Sequence, residues 1–297
     1  MKRLLNCTAS DFMQMSREEL IAAIRASEGR VIVSETVVSC MPAIPAITNA
    51  EISRAAGADL ILLNTFDAFH PVINGLDNME QPIQRLKELI GRPIGVNLEP
   101  VDSRAKMLEE RIDIVKGRQV SIETLNSLNN LGVDFVCITG NPGTGVTNQS
   151  IIDAIQLAKD SFRGMIIAGK MHGAGSKDPI YDIDALESFA KAGADVILLP
   201  SPGTVPGSTV DVCYNIIRRL KKYDVLTMGG LGTSQETSDV ETIRQIGLYN
   251  KMVGFDIHHI GDAGEGGVSP FENIFELSKV VRGRKHTLKM ICTSNAR

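Results

Sequence analysis

The 297-residue sequence predicts a (β/α)8 TIM barrel, an α/β fold, read as a single domain over residues 1–297. Three observations carry that prediction. Eight short apolar, β-branched runs recur along the chain, amphipathic stretches with helix-start signals separate them, and a glycine stands just before every second run. Parallel strands covered on both faces read as near-continuous apolar runs, and a repeated βα unit with right-handed crossovers closes into a barrel. An open doubly wound sheet is the alternative arrangement.

The elements follow in order. Ser16 with Glu19 has capping-box spacing and starts a short helix before the first strand, placed to cover the barrel floor. The strands are predicted within 30–39, 58–66, 93–101, 133–140, 164–171, 194–201, 224–230 and 251–259. Thr48 with Glu51, Thr233 with Glu236 and Ser269 with Glu272 share the capping-box spacing, and Pro270 suits a first helical position. Gly57, Gly132, Gly193 and Gly247 precede the second, fourth, sixth and eighth strands as helix C-cap signals. Residues 100–120 are expected to add a helical insertion after the third strand. The apolar loop 66–81, with Phe66, Phe69, Val72 and Ile73, suggests a lid or a subunit interface, and hence a homo-oligomer.

Composition narrows the function classes. Hydrophobic residues make up 43 % and charged residues 22 %, and the formal net charge of −4 provides no basic field for nucleic acid. The basic run Arg218, Arg219, Lys221 and Lys222 is expected to close a helix, and Arg282, Arg284 and Lys285 to form a solvated tail. Five scattered cysteines without a CxxC pair suggest neither a zinc ribbon nor a disulfide framework. No signal-peptide pattern is visible and no window approaches the about 18 apolar residues of a membrane span, so the expectation is a cytoplasmic protein.

In a barrel of this kind the active site lies at the C-terminal ends of the strands. Period-two alternation places Asn64, Asn97 with Glu99, and Asn141 on the inward faces of strands two, three and four. The same counting puts Lys170 with His172 on strand five and Asp256 with His258 on strand eight. Glu99, Lys170 and His172 are the candidate catalytic groups. A desolvated lysine could form a Schiff base or neutralise an anion, or could simply reach solvent at the rim; histidine and glutamate could exchange protons. Asp256 and His258 could ligate a divalent metal such as Mg or Mn. The first strand, "VIVSETVV", lacks the His-x-His of metal-dependent barrel hydrolases. Gly229, Gly230, Gly232, Thr233 and Ser234, with Gly261 on the next loop, form two adjacent glycine-rich junctions suited to a phosphate. Tight turning alone would also explain these glycines, and Asp262 and Glu265 oppose an anion there. The resulting expectation is a lyase or isomerase acting on a small phosphorylated or carboxylated metabolite, with a non-catalytic ligand-binding or assembly protein as the competing class.

Several segments resemble the BtpA/SgcQ-like family of barrel proteins. "GADLILLNTFDAFHP" is similar to its segment ending Asn-Phe-x-Asp, "IGVNLEPVD" to its Gly-Ile-Asn-Val strand, and "GTGVTNQSIIDA" to its Gly-Ala-x-Val-Thr-Asp-Gln-Gly-Ile-Ile segment. "GKMH" resembles its Lys-His pair with Met171 inserted, Asn148 replaces its Asp, and Glu99-Pro100 depart from its pattern. That resemblance implies either photosystem biogenesis or sugar metabolism. "NAEISRAAGADLILL" also resembles the first βα unit of the phosphoenolpyruvate mutase and isocitrate lyase group. This second resemblance implies magnesium held by acidic residues at early strand ends, where Asp67 and Glu99 stand.

Overall fold

In the computed structural model, which describes residues 2–297, eight parallel strands pair in chain order and the last pairs with the first. They are β1 (Val31–Val37), β2 (Leu60–Asn64), β3 (Ile94–Leu98), β4 (Phe135–Ile138), β5 (Met165–Gly169), β6 (Val196–Pro200), β7 (Leu226–Leu231) and β8 (Ile257–Ile260). The helices are α1 (Ala9–Gln14), α2 (Arg17–Arg25), α3 (Asn49–Ala56), α4 (Pro82–Ile90), α5 (Ile122–Leu131), α6 (Asn148–Ser161), α7 (Ile183–Ala192), α8 (Val210–Leu220), α9 (Val240–Val253) and α10 (Phe271–Cys292). The closed barrel is the fold that the alternating pattern predicts. Ahead of β1 there are two α-helices rather than one, and Leu4, Phe12, Leu20 and Ile24 pack against Val31, Leu60 and Met165 to close the floor.

A four-fold device sets the register. Gly57, Gly132, Gly193 and Gly254 each end a helix in the left-handed region, with φ of 113°, 78°, 117° and 90°. Two residues on stands an aspartate: Asp59, Asp134, Asp195 and Asp256. Each aspartate N–H donates to the carbonyl of one residue on the preceding strand, respectively Ile32, Ile94, Ile166 and Thr227. The N–H of that same residue donates back to the aspartate carboxylate at 2.7–2.8 Å. Pairing at both groups of one residue leaves no freedom to slip, and a slip of one would turn every side chain to the other face. Three of the carboxylates are also ion-paired, Asp59 with Arg282 at 2.6 Å, Asp134 with Lys87 at 2.7 Å and Asp195 with Arg17 at 2.9 Å.

Several expectations are corrected by this arrangement. The eighth strand begins at Ile257, because α9 continues past Gly247 and is capped at Gly254. Arg282 is not part of a solvated tail; it is buried in α10, with Asp59 and the Gly57 carbonyl as partners. Thr48–Glu51 and Ser16–Glu19 form their capping boxes, whereas Asp239 caps α9 in place of Thr233, and Ser269 donates to the Glu236 carbonyl. Arg218 and Arg219 do close α8. Residues 102–115 form an irregular strap instead of a helix. Its N–H groups at Asp102, Leu108 and Ile112 donate to the carbonyls of Gly145, Gly175 and Gly143, and these contacts outweigh the local helical pattern. In loop 66–81, Phe66 and Ile73 are core residues while Phe69 and Val72 stay exposed. Among the described residues no helix is long and apolar enough to cross a membrane.

The stitch predicts the role of Asp256. Asp256→Ala would leave the buried Thr227 N–H and hydroxyl without their shared acceptor. A loss of about 1–3 kcal/mol is expected, read as a fall of roughly 2–10 °C in Tm. A variant that kept its Tm and lost only metal-dependent activity would contradict this structural role and restore the metal-ligand expectation.

Candidate active site at the barrel mouth

The parity fixed at the floor decides what reaches the mouth. Ile32, Ile94, Ile166 and Thr227 point outward, so Glu35, Asn97 and Met171, and Gly232 just beyond β7, point inward. On the even strands the residues one, three and five after each aspartate point inward, which gives Asn64, Thr139, His259 and Gly261. A cavity of about 170 Å³ opens at the C-terminal ends of the strands, lined by Glu35, Asn64, Asn97, Thr139, Asn141, Met171, His172, Gly232, Thr233, Ser234, Glu236, Gly261 and Asp262, among others. A wider groove of about 340 Å³ lies under the floor. Two of its charged groups are already engaged, Arg17 with Asp195 and Asp134 with Lys87, and it lies at the end of the barrel away from the C-terminal strand ends, so the smaller cavity is the better candidate.

Glu35 occupies the cavity floor. Its carboxyl lies 2.9 Å from His259 Nε2 on one oxygen and accepts from Asn97 Nδ2 on the other. Burial pushes the Glu35 carboxyl up to about 8 against the Asn97 hydrogen bond, and neighbouring Glu236 and Glu99 add to the rise. Burial holds the His259 imidazole down at about 4. With Asn97 Nδ2 donating to one oxygen, the neutral pair is a carboxylic acid donating from the other to an unprotonated Nε2, which leaves the imidazole proton on Nδ1, a buried atom without a partner among the described residues. Asp262, whose carboxylate accepts from Asn64 Nδ2 at 2.9 Å, is raised to about 7 by burial and by Glu35. Burial also raises Glu236. The Glu236 backbone carbonyl is pinned by Ser269 and by Asn273, each at 2.8 Å.

The second wall is an amide chain. Asn64 and Asn141 exchange hydrogen bonds at 3.0 and 3.1 Å, and Asn141 donates to Glu99 from both its backbone and its side chain. Glu99 is itself paired with Arg118 at 2.6 Å. Glu99 thus holds Asn141 in place and does not line the cavity. His172 does line it, and its Nδ1 accepts from the Ala174 N–H at 3.0 Å. That bond fixes the neutral tautomer with hydrogen on Nε2, and burial lowers the imidazole pKa in the same sense.

Other expected site residues lie elsewhere. Lys170 points outward from β5, close to Ser176 Oγ at 3.3 Å and Asp178 at 3.7 Å, and is not part of the lining. His258 lies behind β8 with Nε2 at 2.9 Å from the Gly29 carbonyl, and Asp256 sits at the floor. These two therefore form no metal centre at the mouth. Asp67 turns to the Phe69 N–H and His70, outside the cavity. Added Cβ atoms at Gly229 and Gly230 would strike the Phe255 ring at 2.8 Å and Met171 at 2.7 Å, so those glycines serve packing. Gly232, Thr233 and Ser234 do border the cavity. Thr233 and Ser234 are both left-handed, with φ of 57° and 72°, and among the described residues the N–H groups of 232–234 find no protein acceptor. The Thr233 hydroxyl is engaged with the Thr204 carbonyl at 2.5 Å.

Glu35, His259 and Glu236 were not among the expected site residues. A lone carboxylate in the β-branched run of β1 was the available signal for Glu35, and the spacing from Asp256 was the signal for His259. Among the described residues no three His, Cys, Asp or Glu side chains come together as a metal-ligand set. Magnesium commonly takes only one or two carboxylates and completes its shell with water or substrate, and Glu236 with Asp262 fit that lesser role.

Comparison with solved structures returns the same barrel. A 2,3-dimethylmalate lyase, described as a PEP mutase/isocitrate lyase superfamily member, superposes with a TM-score of 0.51 at 14 % identity, covering 86 % of this chain and 81 % of that one. A Schiff-base-forming fructose-1,6-bisphosphate aldolase gives 0.55 at 13 % identity, covering 86 % and 96 %. A phosphoenolpyruvate phosphomutase from Streptomyces platensis subsp. rosaceus gives 0.50 at 13 % identity, covering 85 % and 80 %. At these identities the likeness is one of fold. No functionally curated protein matches the sequence. The match that spans nearly the whole chain, residues 5–297, is to a family model, and the chain belongs to that family, described as "Domain of unknown function (DUF7916)".

Proposed function

We propose that the protein is a barrel enzyme of lyase or isomerase type that moves a proton on a small hydroxylated metabolite carrying a phosphate or carboxylate. The observation that carries this reading is the buried Glu35 carboxyl on the cavity floor, held between Asn97 and His259. A carboxyl that changes protonation near neutral pH can give a proton to a substrate atom and take one from its neighbour, which is the demand of both reaction classes. His259, fixed on the far oxygen, keeps the acid oriented and stays neutral, since the proton Glu35 gives to one substrate atom is replaced by the one it takes from the other. His172 offers Nε2–H as a neutral donor to a developing oxyanion. The free N–H groups of Gly232, Thr233 and Ser234 form a nest for the anionic end of the substrate. A barrel of the same architecture serves a 2,3-dimethylmalate lyase and a fructose-1,6-bisphosphate aldolase, so the scaffold suits this chemistry.

Magnesium, if taken up, would rest on Glu236 and Asp262 and would supply charge neutralisation and polarisation of a substrate oxygen. The proton-transfer role of Glu35 does not depend on it.

Glu35→Gln tests the reading. Glutamine reproduces both hydrogen bonds of the protonated acid, so the fold should persist with Tm at pH 7 not lowered. Turnover of whichever hydroxy or oxo acid, or sugar phosphate, proves to be substrate should fall by about 10²–10⁴-fold, the usual worth of a general acid or base. Turnover of that variant within a few-fold of the parent would contradict the assignment.

The linkage gives a second test that needs no substrate. Glu35 has its folded pKa raised from 4.5 to about 8. Its contribution to stability is full below pH 4.5 and is lost as pH rises through 8. His259 is lowered from 6.5 to about 4, so its contribution is full above 6.5 and is lost on acidification. Between pH 6.5 and 8 the Glu35 part changes, together with that of Asp262 at the start of the interval. Thermal melts over that interval should show the parent losing stability with rising pH and Glu35→Gln losing less. Parallel curves for the two proteins would contradict the raised pKa.

A further inference from the structure

Three buried oxygens around the cavity have no partner among the described residues: Asn97 Oδ1, Thr139 Oγ1 and Glu236 Oε2. Their residues are 4 %, 2 % and 3 % exposed and come from β3, the end of β4 and the segment after β7, yet all three line the same space. Native interiors leave few such groups, so three around one cavity call for an explanation. The Asn97 amide donates to Glu35 through Nδ2, which leaves Oδ1 turned away from that bond and able only to accept. Glu236 Oε1 already takes the Ala263 N–H at 3.3 Å, which leaves Oε2 free. The same cavity also carries donors, the free N–H groups of 232–234 and the His172 Nε2–H.

We propose that this cavity binds vicinal hydroxyl groups, Asn97 Oδ1, Thr139 Oγ1 and Glu236 Oε2 receiving them, so that the substrate is a short-chain polyhydroxylated anion with its anionic end at Gly232–Ser234. The assignment rests on reading this cavity as the substrate site. A ligand that carries both hydroxyls and an anionic group satisfies the acceptors and the donors at once, whereas a deoxy compound leaves the three oxygens unpaired. Sites built to hydrogen-bond a substrate hydroxyl discriminate strongly against the analogue lacking it, because the buried partners then stay unsatisfied.

Titration calorimetry on the full chain tests this with two matched pairs, glycerate against propionate and glycerol 3-phosphate against propyl phosphate. The pairs separate a carboxylate from a phosphate source of the anionic end. At ligand concentrations up to about 10 mM, above the usual range of Michaelis constants, the hydroxylated member of at least one pair should bind about 10-fold tighter or better, as expected for a site with several hydroxyl partners. Thr139→Val should weaken that hydroxylated member by about 3–10-fold, the worth of one hydrogen bond, and leave the deoxy member unchanged. Its Tm should not fall, since the hydroxyl removed has no partner in the folded chain. Glu236→Gln, which replaces the free acceptor by a donor, should also act on the hydroxylated member alone. Equal binding within both pairs, no binding by any of the four, or equal weakening of both members by the variants would overturn the proposal. Failure of Glu35→Gln to slow turnover would leave this hydroxyl preference intact, so the two readings fail separately.

Discussion

The structure depends on one constraint, the double hydrogen bond between each floor aspartate and a single residue of the preceding strand. A backbone N–H and a carboxylate acting on the same partner residue fix two strands against each other at one register. Because side chains alternate strictly, that register decides the inward set of all eight strands. The helix-ending glycine two residues earlier lets the chain leave the helix and enter the strand at the required angle. Local turn chemistry at the floor is thereby converted into the choice of residues at the mouth, a strand length away. The lower layers of the barrel are apolar, and the polar layer appears only where the aspartate count reaches its third and fifth positions.

This polar layer is costly to bury, and its hydrogen bonds show how the cost is limited. Glu99 is neutralised by Arg118, and Asn64 and Asn141 satisfy one another, so the wall beside the cavity is closed. Glu35, Asp262 and Glu236 receive no arginine or lysine within the lining. Desolvation of a carboxyl without a cation favours its protonated form, so all three are raised, Glu35 to about 8 and Asp262 to about 7. An acid that holds its proton near neutral pH is what a proton-transfer site requires. The same desolvation that weakens the fold at high pH thus prepares the chemistry.

Most of the fold was legible in the sequence, because strands covered on both faces announce themselves by composition and helix ends by glycine. The parity of β2, β3 and β4 was legible too, since Asn64, Asn97 and Thr139 close otherwise apolar faces. It failed on β5 and β8, where Lys170 and His258 are chemically conspicuous but one residue out of phase. For β8 the remedy was present, since counting three from Asp256 reaches His259. For β5 it was not, because the phase is set by the pairing of Asp195 with Ile166, a contact between strands that no local pattern records. Glu236 was hidden by an accidental capping-box spacing with Thr233. The strap at 102–115 has a helical composition, and only the carbonyls of Gly143, Gly145 and Gly175 explain why it is extended across the rim.

Register set at the floor places a proton-holding Glu35 against His259 inside the mouth. The most direct test of this arrangement is the titration of the Glu35 side-chain carboxyl by carbon-13 NMR, assigned through Glu35→Gln, with the ring nitrogens of His259 followed in the same samples. The expected carboxyl midpoint is near 8, with the His259 nitrogens shifting in the same step because the two groups share a hydrogen bond. A carboxyl midpoint near 4.5, the ordinary value for glutamate, with no response from His259, would contradict it.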